Sequence, residues 1–431
     1  MKKNYSLRLL FAAVTFAFVT SASAQLQEGV LVLNEGNFGV DNAGISFIGA
    51  TTFHSDLYAE ANNNIPLGNT AQSMGFYGDN AYVVLNGSNA LAVLDRHTLR
   101  LSAIMPVGLF NPRHIIFSEN KAYISCWTDA GNPDDDTISV IDLLSMSVSL
   151  RIPTPEGPEK LLVVGNKLYV ANQGGYGYGN SVSVIDLATD AVIATIPTGD
   201  VPNSMVESGG TLYVLCGGKP SWTQDETAGK LLKINVADNS VTSTIDFPEM
   251  HPSNLKIYGD YLFYSVDSNV YKMVLNATQL PQTPLVELEE VGVYGIYGME
   301  IIDDKLYIGD AGNYVDPGKA YVYSVDGTLL EDYQVGRLPN GFYKAQIDTQ
   351  LGTKNQNDQY DLAVYPNPAS DLFYINTEKP ADIHIFDLSG RLVKTAVYSP
   401  SGISVSDLNS GIYLVEITID SQKSFKRISV K

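Results

Sequence analysis

Apolar and polar residues alternate in short stretches along most of this chain. Ser181–Asp186 (SVSVID) alternates in this way, which is the period of a half-buried β-strand. Residues 91–95, 138–142 and 322–326 echo the pattern, and each ends in Asp. Thr or Ser follows three positions after Asp95, Asp142 and Asp186, which predicts hairpins whose backbone is bonded by the Asp side chain. The pattern therefore predicts an all-β fold.

A longer unit repeats through the chain. It consists of an apolar strand with Tyr, a loop, a second strand ending near Asp, and a third strand. Its seven copies begin at Val30, Ala81, Ala122, Leu168, Leu212, Leu262 and Leu306. A period of roughly 40 to 50 residues is typical of propeller blades. The repeats predict a seven-bladed β-propeller over residues 25–347.

The repeats are offset from the predicted blades. The apolar runs 114–117, 161–164 and 255–258 follow Gly/Pro-rich loops, and we assign each to the innermost strand of the following blade. The first copy has no such strand before it, whereas Leu338–Ala345 follows the last copy. We therefore expect the last strand to pair with the first, which closes the ring and protects its edges.

The first 24 residues have the pattern of a secretory signal peptide. Lys2, Lys3 and Arg8 precede an apolar run over residues 9–19, and Ala22-Ser23-Ala24 provides a cleavage site. The run is too short for a mature transmembrane helix, and no cysteine follows it to carry a lipid anchor. The mature chain is expected to begin near Gln25 without a transmembrane segment.

The C-terminal part is predicted to be a separate domain. Residues 348–361 are polar, without apolar periodicity, and indicate a linker. Short strands follow over residues 362–431 and predict a small β-sandwich.

Four motifs in this tail carry a family resemblance. Val364–Asp371 (VYPNPASD), Phe386–Arg391, Ser410–Val415 and the closing Lys426–Lys431 resemble the type A sorting domain of the type IX secretion system. The resemblance implies export through the inner membrane, interaction with the type IX secretion machinery, and passage through the outer membrane. It also implies removal of the tail, with the mature protein on the cell surface or secreted.

The repeats resemble a second family. Leu168–Gln173 and 181–199 resemble the YVTN/YncE-type seven-bladed propellers. Asn34–Gly39, followed by Asn42-Ala43, is similar to the opening of bacterial surface propellers, some of which capture vitamin B12 and pass it to an outer-membrane transporter. The resemblance implies a corrinoid ligand and a transporter partner. Those capture proteins are typically lipid-anchored, whereas this chain carries a sorting domain.

The net charge argues against two classes of partner. The formal net charge is −20 and the isoelectric point is about 4.5. This charge argues against a nucleic-acid partner, because affinity for nucleic acid rests on Lys and Arg neutralising phosphates. It argues equally against docking of a basic patch onto an anionic membrane.

Sequence motifs for catalysis or metal binding are weak. The five histidines have no HxH or HxxxH spacing, and neither a G-x-S-x-G motif nor a repeated Asp box occurs. The acidic run Asp129–Asp136 offers oxygen ligands for Ca²⁺ but lacks EF-hand spacing, which favours a solvated loop. Cys126 and Cys216 occupy the same place in repeats that are not neighbours, so we expect no disulfide. We predict no enzyme activity, cofactor or metal.

Aromatic and amide side chains concentrate in two sets of loops that should share one face. The first set follows the Tyr-bearing strand, and the second leads into the innermost strand. Rings beside amides suit a broad planar or sugar-like ligand, although rings can also simply pack the loops. The candidate ligand-binding residues are Phe38, Trp127, Tyr176, Tyr178, Trp222 and Tyr314 in the first set, and Phe110, Arg113, His251, Tyr294, Tyr297 and Asn340 in the second.

The predicted function is capture of a small molecule at the cell surface, with a corrinoid as the sharpest ligand hypothesis. Two alternatives stay open. One is a propeller enzyme of the lactonase or lyase type, and the other is an adhesion or scaffold module that binds protein or glycan. A His/Glu/Arg cluster at the mouth of the channel would favour the enzyme, whereas a wide aromatic surface would favour capture.

Processing gives the first testable prediction. Because both ends of the chain have the pattern of export signals, the surface form should lack residues 1 to 24 and the tail from about Leu362. Intact-mass spectrometry of protein shed from cells measures this. Retention of both segments would contradict the prediction.

Overall fold

The computed structural model describes residues 26–348 except 106, 107 and 130. In the C-terminal part it describes residues 362, 364–377, 379–387, 391–399, 402–419 and 422–430. The chain divides into two compact units, Met1–Gln350 and Leu351–Lys431. The predicted signal peptide, and the predicted linker beyond its first residue, lie outside the described residues.

The described residues of the first unit form seven four-stranded antiparallel sheets. A short helix, α1 (Leu57–Ala61), and two 3-10 turns, Ser221–Thr223 and Glu289–Val291, lie in the loops. The strands are β1 (Leu26–Asn34), β2 (Gly44–Gly49), β3 (Phe53–His54), β4 (Ala71–Tyr77), β5 (Asn80–Leu85), β6 (Ala90–Asp95), β7 (Leu101–Met105), β8 (Pro112–Ser118), β9 (Lys121–Cys126), β10 (Thr137–Asp142), β11 (Ser147–Pro153), β12 (Pro158–Val164), β13 (Lys167–Asn172), β14 (Ser181–Asp186), β15 (Ala191–Pro197), β16 (Pro202–Ser208), β17 (Thr211–Cys216), β18 (Gly229–Asn235), β19 (Val241–Phe247), β20 (Ser253–Tyr258), β21 (Tyr261–Val266), β22 (Asn269–Val274), β23 (Val286–Glu287), β24 (Ile296–Ile302), β25 (Lys305–Asp310), β26 (Lys319–Ser324), β27 (Leu329–Gln334) and β28 (Pro339–Asp348).

Six sheets take four consecutive strands each, from β4–β7 through β24–β27, and the first sheet has the order β28-β1-β2-β3. The pairing of β28 with β1 runs from Leu26 opposite Asp348 to Leu33 opposite Gly341. This pairing confirms the predicted return of the last strand to the first.

The innermost strands contact one another in a closed order. This order is β4, β8, β12, β16, β20, β24 and β28, and β28 also contacts β4. The arrangement is propeller-like, and we call the space that these strands enclose the central channel. Hydrophobic cores lie between neighbouring sheets; one contains Tyr169 and Val182 of one sheet with Leu212 and Val214 of the next.

Each innermost strand has a register irregularity near its first residue. On β4, for example, Ala71 pairs with Leu85 while Ser73 pairs with Val84, so Gln72 is the extra residue of a bulge. Equivalent shifts occur on β8, β12, β16, β20, β24 and β28. Bulges re-aim side chains and often lie next to functional sites. They therefore mark one end of the central channel.

The Asp-bonded hairpins occur as predicted. The backbone N–H and hydroxyl of Thr98 both donate to Asp95 Oδ1 at 2.8 Å. Ser145 bonds to Asp142 and Thr189 to Asp186 in the same way. These aspartates are thus engaged in turn structure at the end of the sheets opposite the bulges.

The described part of the second unit contains two sheets that share one core. Their orders are β29-β30-β33 and β32-β31-β34-β35. Phe373 of one sheet and Ile383, Val415 and Ile428 of the other are buried in this core. The sandwich architecture stays a prediction. The strands are β29 (Val364–Tyr365), β30 (Leu372–Ile375), β31 (Asp382–Phe386), β32 (Leu392–Val397), β33 (Ile403–Ser404), β34 (Gly411–Ile419) and β35 (Gln422–Val430).

The β1–β28 pairing can be tested by truncation. A chain ending at Gly336 lacks β28, so β1 becomes an unpaired edge and the buried Phe342 and Ile347 are lost from the core. Burial of one such side chain contributes about 1.5–3 kcal/mol, and an exposed edge favours aggregation. We expect this chain to aggregate or to melt far below a chain ending at Gln350. Equal melting temperatures for the two chains would contradict the closure.

Candidate functional site

Two sets of loops meet at the bulged end of the sheets, which we call the loop face. The residue after the Tyr-bearing first strand of a repeat donates its backbone N–H to the carbonyl of the residue just before an innermost strand. Trp127 bonds to Asn111 at 3.1 Å, and Gly217 bonds to Val201 at 2.8 Å. The same bond joins Glu35 to Leu338, Asn86 to Thr70 and Gln173 to Gly157. Both predicted loop sets therefore lie on one face.

The accepting residues in these bonds have left-handed backbone conformations. Gly157 has φ +68°, and a Cβ there would lie 2.0 Å from the backbone nitrogen of Gly175, so only glycine fits. Val201 has φ +58°, which is strained for a β-branched residue. Its N–H donates to Gly179 at 2.8 Å while its carbonyl accepts from Gly217, and these two bonds hold the strained turn in place.

A cleft of about 360 Å³ opens on the loop face between the sheets β12–β15, β16–β19 and β20–β23. Its size falls in the range of small-molecule sites. Of the predicted residues, Tyr178, Trp222 and His251 line it, together with Asn203 and Asp267. His251 is oriented by Gly217 O, 2.8 Å from Nδ1, and by Glu226 Oε1, 3.3 Å from Nε2. The cleft combines rings with polar groups in fixed positions.

Several predicted rings are exposed to solvent. Trp222 is 80% exposed and Tyr178 is 45% exposed at the cleft. Tyr294 is 87% exposed and Phe38 is 83% exposed elsewhere in the same loop sets. Phe110, Tyr176 and Tyr314 are also exposed. The loop face therefore presents apolar rings to water in several places.

Trp127 differs from Trp222. Its indole N–H donates to Pro158 O at 3.0 Å, and the Arg113 guanidinium lies 3.9 Å from the ring centre. Its ring also meets Tyr176 edge-on, with centroids 5.9 Å apart. The two tryptophans follow equivalent strands, but the structure uses Trp127 for packing and leaves Trp222 open.

The bond from Trp127 to Pro158 belongs to a recurring set. In this set a side chain of one sheet donates to the first carbonyl of the next innermost strand, or to the carbonyl just before it. Such bonds fasten neighbouring innermost strands together and keep the carbonyls at the channel mouth paired. The five bonds, each from a side-chain donor to a carbonyl acceptor, are Asn340 to Ala71 (3.0 Å), Asn86 to Pro112 (3.1 Å), Trp127 to Pro158 (3.0 Å), Asn203 to Pro252 (2.8 Å) and Asn254 to Ile296 (3.3 Å).

A charged cluster lies at the mouth of the central channel. Arg113 donates to both carboxylate oxygens of Glu159, at 2.9 and 3.1 Å, and His114 Nε2 lies 3.1 Å from Glu159 Oε1. Burial alone would raise the pKa of Glu159, but Arg113 and His114 hold it well below its usual range. Burial, with the nearby Lys160 ammonium, lowers the pKa of His114 to about 4. At neutral pH the cluster is an ion pair beside a neutral imidazole.

Glu35 forms a second polar group near the mouth. Its Oε2 accepts from the Tyr297 hydroxyl at 2.6 Å and from the Asn340 amide at 3.3 Å. Burial raises the pKa of Glu35, although the bond from Tyr297 opposes the shift. Tyr297 in turn stacks edge-on against Tyr314, with centroids 5.9 Å apart. The structure thus brings three predicted residues, Tyr297, Tyr314 and Asn340, close to an unpredicted carboxylate.

Sequence reasoning missed Glu35, Glu159 and Lys160. A signal for Glu159 was available, because Pro158-Glu159 occupies the same repeat position as Pro112-Arg113, Pro202-Asn203 and Pro339-Asn340. Aligning these dipeptides would have placed a ring of polar residues at the channel mouth. Glu35 lies in the Asn34–Gly39 motif, but nothing in that motif marks it as a site residue, and Lys160 has no comparable signal.

Other candidate chemistry is limited in the part of the chain that the structure describes. No group of three or more His, Cys, Asp or Glu residues there could hold a metal ion. In the acidic loop, Asp136 instead accepts a hydrogen bond from the Gly157 N–H at 2.6 Å.

Cys126 and Cys216 are free and buried, and burial raises the pKa of their thiols to about 11 and about 12. Among the described helices, none has the length and apolar character needed to cross a bilayer.

Two family profiles match the chain. One, described as a domain of unknown function (DUF5074), matches residues 28–373. The other, described as a secretion system C-terminal sorting domain, matches residues 363–431. The second match confirms the predicted sorting domain, and with it export to the cell surface or secretion. The YVTN/YncE resemblance is not among these matches and stays a prediction. No curated protein matches the chain.

Two solved structures show the same propeller-like fold. A functionally unknown protein from Desulfotomaculum acetoxidans is 13% identical, with a TM-score of 0.55, covering 74% of this chain and 98% of its own. A quinoprotein alcohol dehydrogenase-like protein from Bacteroides thetaiotaomicron is 18% identical, with a TM-score of 0.55, covering 73% and 78%. At these identities the likeness concerns the fold alone.

The different contacts of the two tryptophans predict different effects on stability. Trp127→Ala removes an indole hydrogen bond, a cation–π contact and half-buried ring area, and should lower the free energy of unfolding by about 2–4 kcal/mol. Trp222→Ala, at an exposed position, should change it by less than about 0.5 kcal/mol. Chemical denaturation of both variants measures the difference. Equal losses would show that Trp127 is not a packing residue.

Proposed function

The chain belongs to the DUF5074 family, a domain of unknown function, and from this starting point we propose that it is a surface seven-bladed propeller that captures a small ligand on its loop face. The seven sheets in closed order support seven blades. The sorting domain places the protein at the cell surface or in the medium, where nutrient capture is a useful activity. The chemistry of the loop face supports binding.

The cleft beside Trp222 carries the proposal. It combines exposed rings with Asn203 and His251, whose orientations are fixed by bonds to Pro252 O and Gly217 O. Rings supply contact area at low cost in conformational entropy, and fixed polar groups supply orientation. Exposed aromatic surface of this kind is unfavourable in water until a ligand covers it. These properties suit a broad ligand with flat apolar faces and a polar rim.

A corrinoid is the ligand hypothesis that fits this description best. It is broad and flat and carries amide groups around its rim, which match the amides and carbonyls of the loop face. The resemblance of Asn34–Gly39 to the opening of B12-capturing surface propellers supports the same ligand. The cleft holds only part of such a molecule, so the neighbouring exposed rings Tyr176 and Phe110 would extend the contact.

The cluster of Arg113, Glu159 and His114 favours a second candidate, a propeller enzyme of the lactonase or lyase type. A cluster of His, Glu and Arg at the mouth of the channel is the arrangement that the sequence analysis expects of such an enzyme. The protonation states weigh against it. An efficient general acid or base has a pKa near the working pH, whereas Glu159 is held ionised by its partners and the pKa of His114 is about 4. We therefore prefer binding to catalysis.

Ligand capture can be tested with cobalamin and two variants. Trp222→Ala removes one exposed ring at the cleft. Loss of its buried area on the ligand, plus about 0.5–1.5 kcal/mol of stacking, corresponds to at least a tenfold loss of affinity. Comigration of cobalamin absorbance with the protein in gel filtration, followed by titration, gives the two affinities.

Leu144→Ala is the matched control. Leu144 is 81% exposed, but it lies in the hairpin between β10 and β11, at the end of the sheets opposite the loop face. This variant should bind cobalamin as the parent chain does. Cobalamin binding that is unaffected by Trp222→Ala would place the site elsewhere. Absence of cobalamin binding, with turnover of a lactone substrate that requires His114, would favour the enzyme.

A further inference from the structure

Lys160 is a charged residue without a hydrogen-bonded partner in the described part of the chain. It follows Glu159 on β12, and its ammonium makes no hydrogen bond or close ion pair with any residue that the structure describes. The nearby carboxylates are already engaged. Glu159 binds Arg113 and His114, and Glu300 accepts from Lys256 at 2.6 Å.

Lys160 lies in the bulge of β12, between Pro158 and Leu161, at the end of the central channel that the bulges mark. The charges near it indicate where its side chain points. They come from Glu159 on its own strand, Arg113 on β8, Lys256 on β20 and Glu300 on β24. Neither β20 nor β24 contacts β12 as a neighbour in the closed order of innermost strands. Side chains from β12, β20 and β24 can approach one another only across the central channel. The Lys160 ammonium therefore projects into the channel.

This position is energetically unfavourable without a counter-ion. The Lys160 side chain is partly buried, and an ammonium shielded from water without an acceptor is unfavourable. Burial accordingly lowers the pKa of Lys160 to about 8, although Glu159 opposes the shift. Arg113 also retains donor capacity, because only its Nε and one of its two terminal nitrogens bind Glu159. Two cationic donors thus remain available at the mouth of the channel.

We propose that the central channel binds an oxyanion, with the Lys160 ammonium as its principal ligand and the free arm of Arg113 as a second donor. The chemistry is that of sulfate, phosphate or carboxylate, which accept charge-assisted hydrogen bonds from Lys and Arg. The anion is either a free inorganic ion or the anionic group of a larger ligand. Neither Lys160 nor Arg113 lines the Trp222 cleft, so the proposal does not depend on corrinoid capture.

Sulfate binding to the full chain tests the proposal. Isothermal titration calorimetry is performed at constant ionic strength, with chloride replaced by sulfate, for the parent chain, Lys160→Met and Lys344→Met. Lys344 is an exposed lysine paired with Asp303 at 2.6 Å, and its variant controls for loss of one positive charge. We expect Lys160→Met to weaken sulfate binding at least tenfold, and Lys344→Met to leave it unchanged. Lys160→Gln, a polar replacement, should behave as Lys160→Met does.

The pH dependence adds an independent readout, because sulfate keeps its charge from pH 6 to pH 9. The groups facing Lys160 are Arg113, Glu159, Lys256, Glu300 and the neutral His114. A lysine binds the anion only when protonated, so binding should be strong at pH 6 and should weaken as the pH rises through about 8. In Lys160→Met this dependence should disappear.

The source of the anion follows from a competition measurement. If glycerol phosphate displaces sulfate and binds more than tenfold tighter than inorganic phosphate, the anion belongs to a larger ligand. Equal affinities for glycerol phosphate and inorganic phosphate would indicate that the site binds a free ion. No sulfate binding by the parent chain, or binding that survives both substitutions of Lys160, would overturn the proposal.

Discussion

The pairing of β28 with β1 is the interaction on which the rest of the first unit depends. A sheet in this arrangement buries both of its faces only when it has a neighbour on each side, and the first sheet is incomplete until the last strand returns to it. Closure also makes the channel mouth possible. Tyr297 and Asn340 reach Glu35 across sequence separations of 262 and 305 residues, and only a closed order of sheets brings those positions together.

The bulges on the innermost strands explain why polar chemistry collects at one end of the channel. A regular strand would direct alternate side chains into the two neighbouring cores, where Arg113 and Glu159 would be costly. An extra residue at the start of the strand re-aims one side chain without breaking the ladder further along. The amides among these residues then fasten neighbouring strands by bonding their carbonyls, as Asn203 and Asn340 do. The same irregularity therefore stabilises the ring and exposes functional groups to the channel.

The sequence was sufficient to predict the strands, the offset of the repeats, the return of the last strand and the sorting domain, because these depend on local periodicity and motifs. The Asp95 and Asp186 turns were predictable for the same reason. The roles of Trp127 and Lys160 could not be predicted from the sequence. Trp127 donates its hydrogen bond to an innermost strand from the position that Asn86 occupies in the preceding sheet. A sequence comparison does not reveal this equivalence, because an indole and an amide are chemically different side chains. Lys160 is unusual only because the carboxylates of Glu159 and Glu300 have other partners, which is a property of the three-dimensional packing.

The loop face and the channel mouth differ in how closely they are tied to the scaffold. Trp222 and Tyr294 are exposed, and no sheet of the described unit depends on them for its core. Such loop positions can change with little effect on folding, which is how a fixed scaffold acquires different ligands. Arg113, by contrast, bonds Glu159 of the next sheet and lies against Trp127, which itself bonds the innermost strand of that sheet. Substitution of Arg113 therefore changes the charge at the channel mouth and the junction between sheets together. The exposed rings of the loop face can therefore vary without disturbing the packing of the sheets, whereas the charges at the channel mouth are tied to the junction between two sheets.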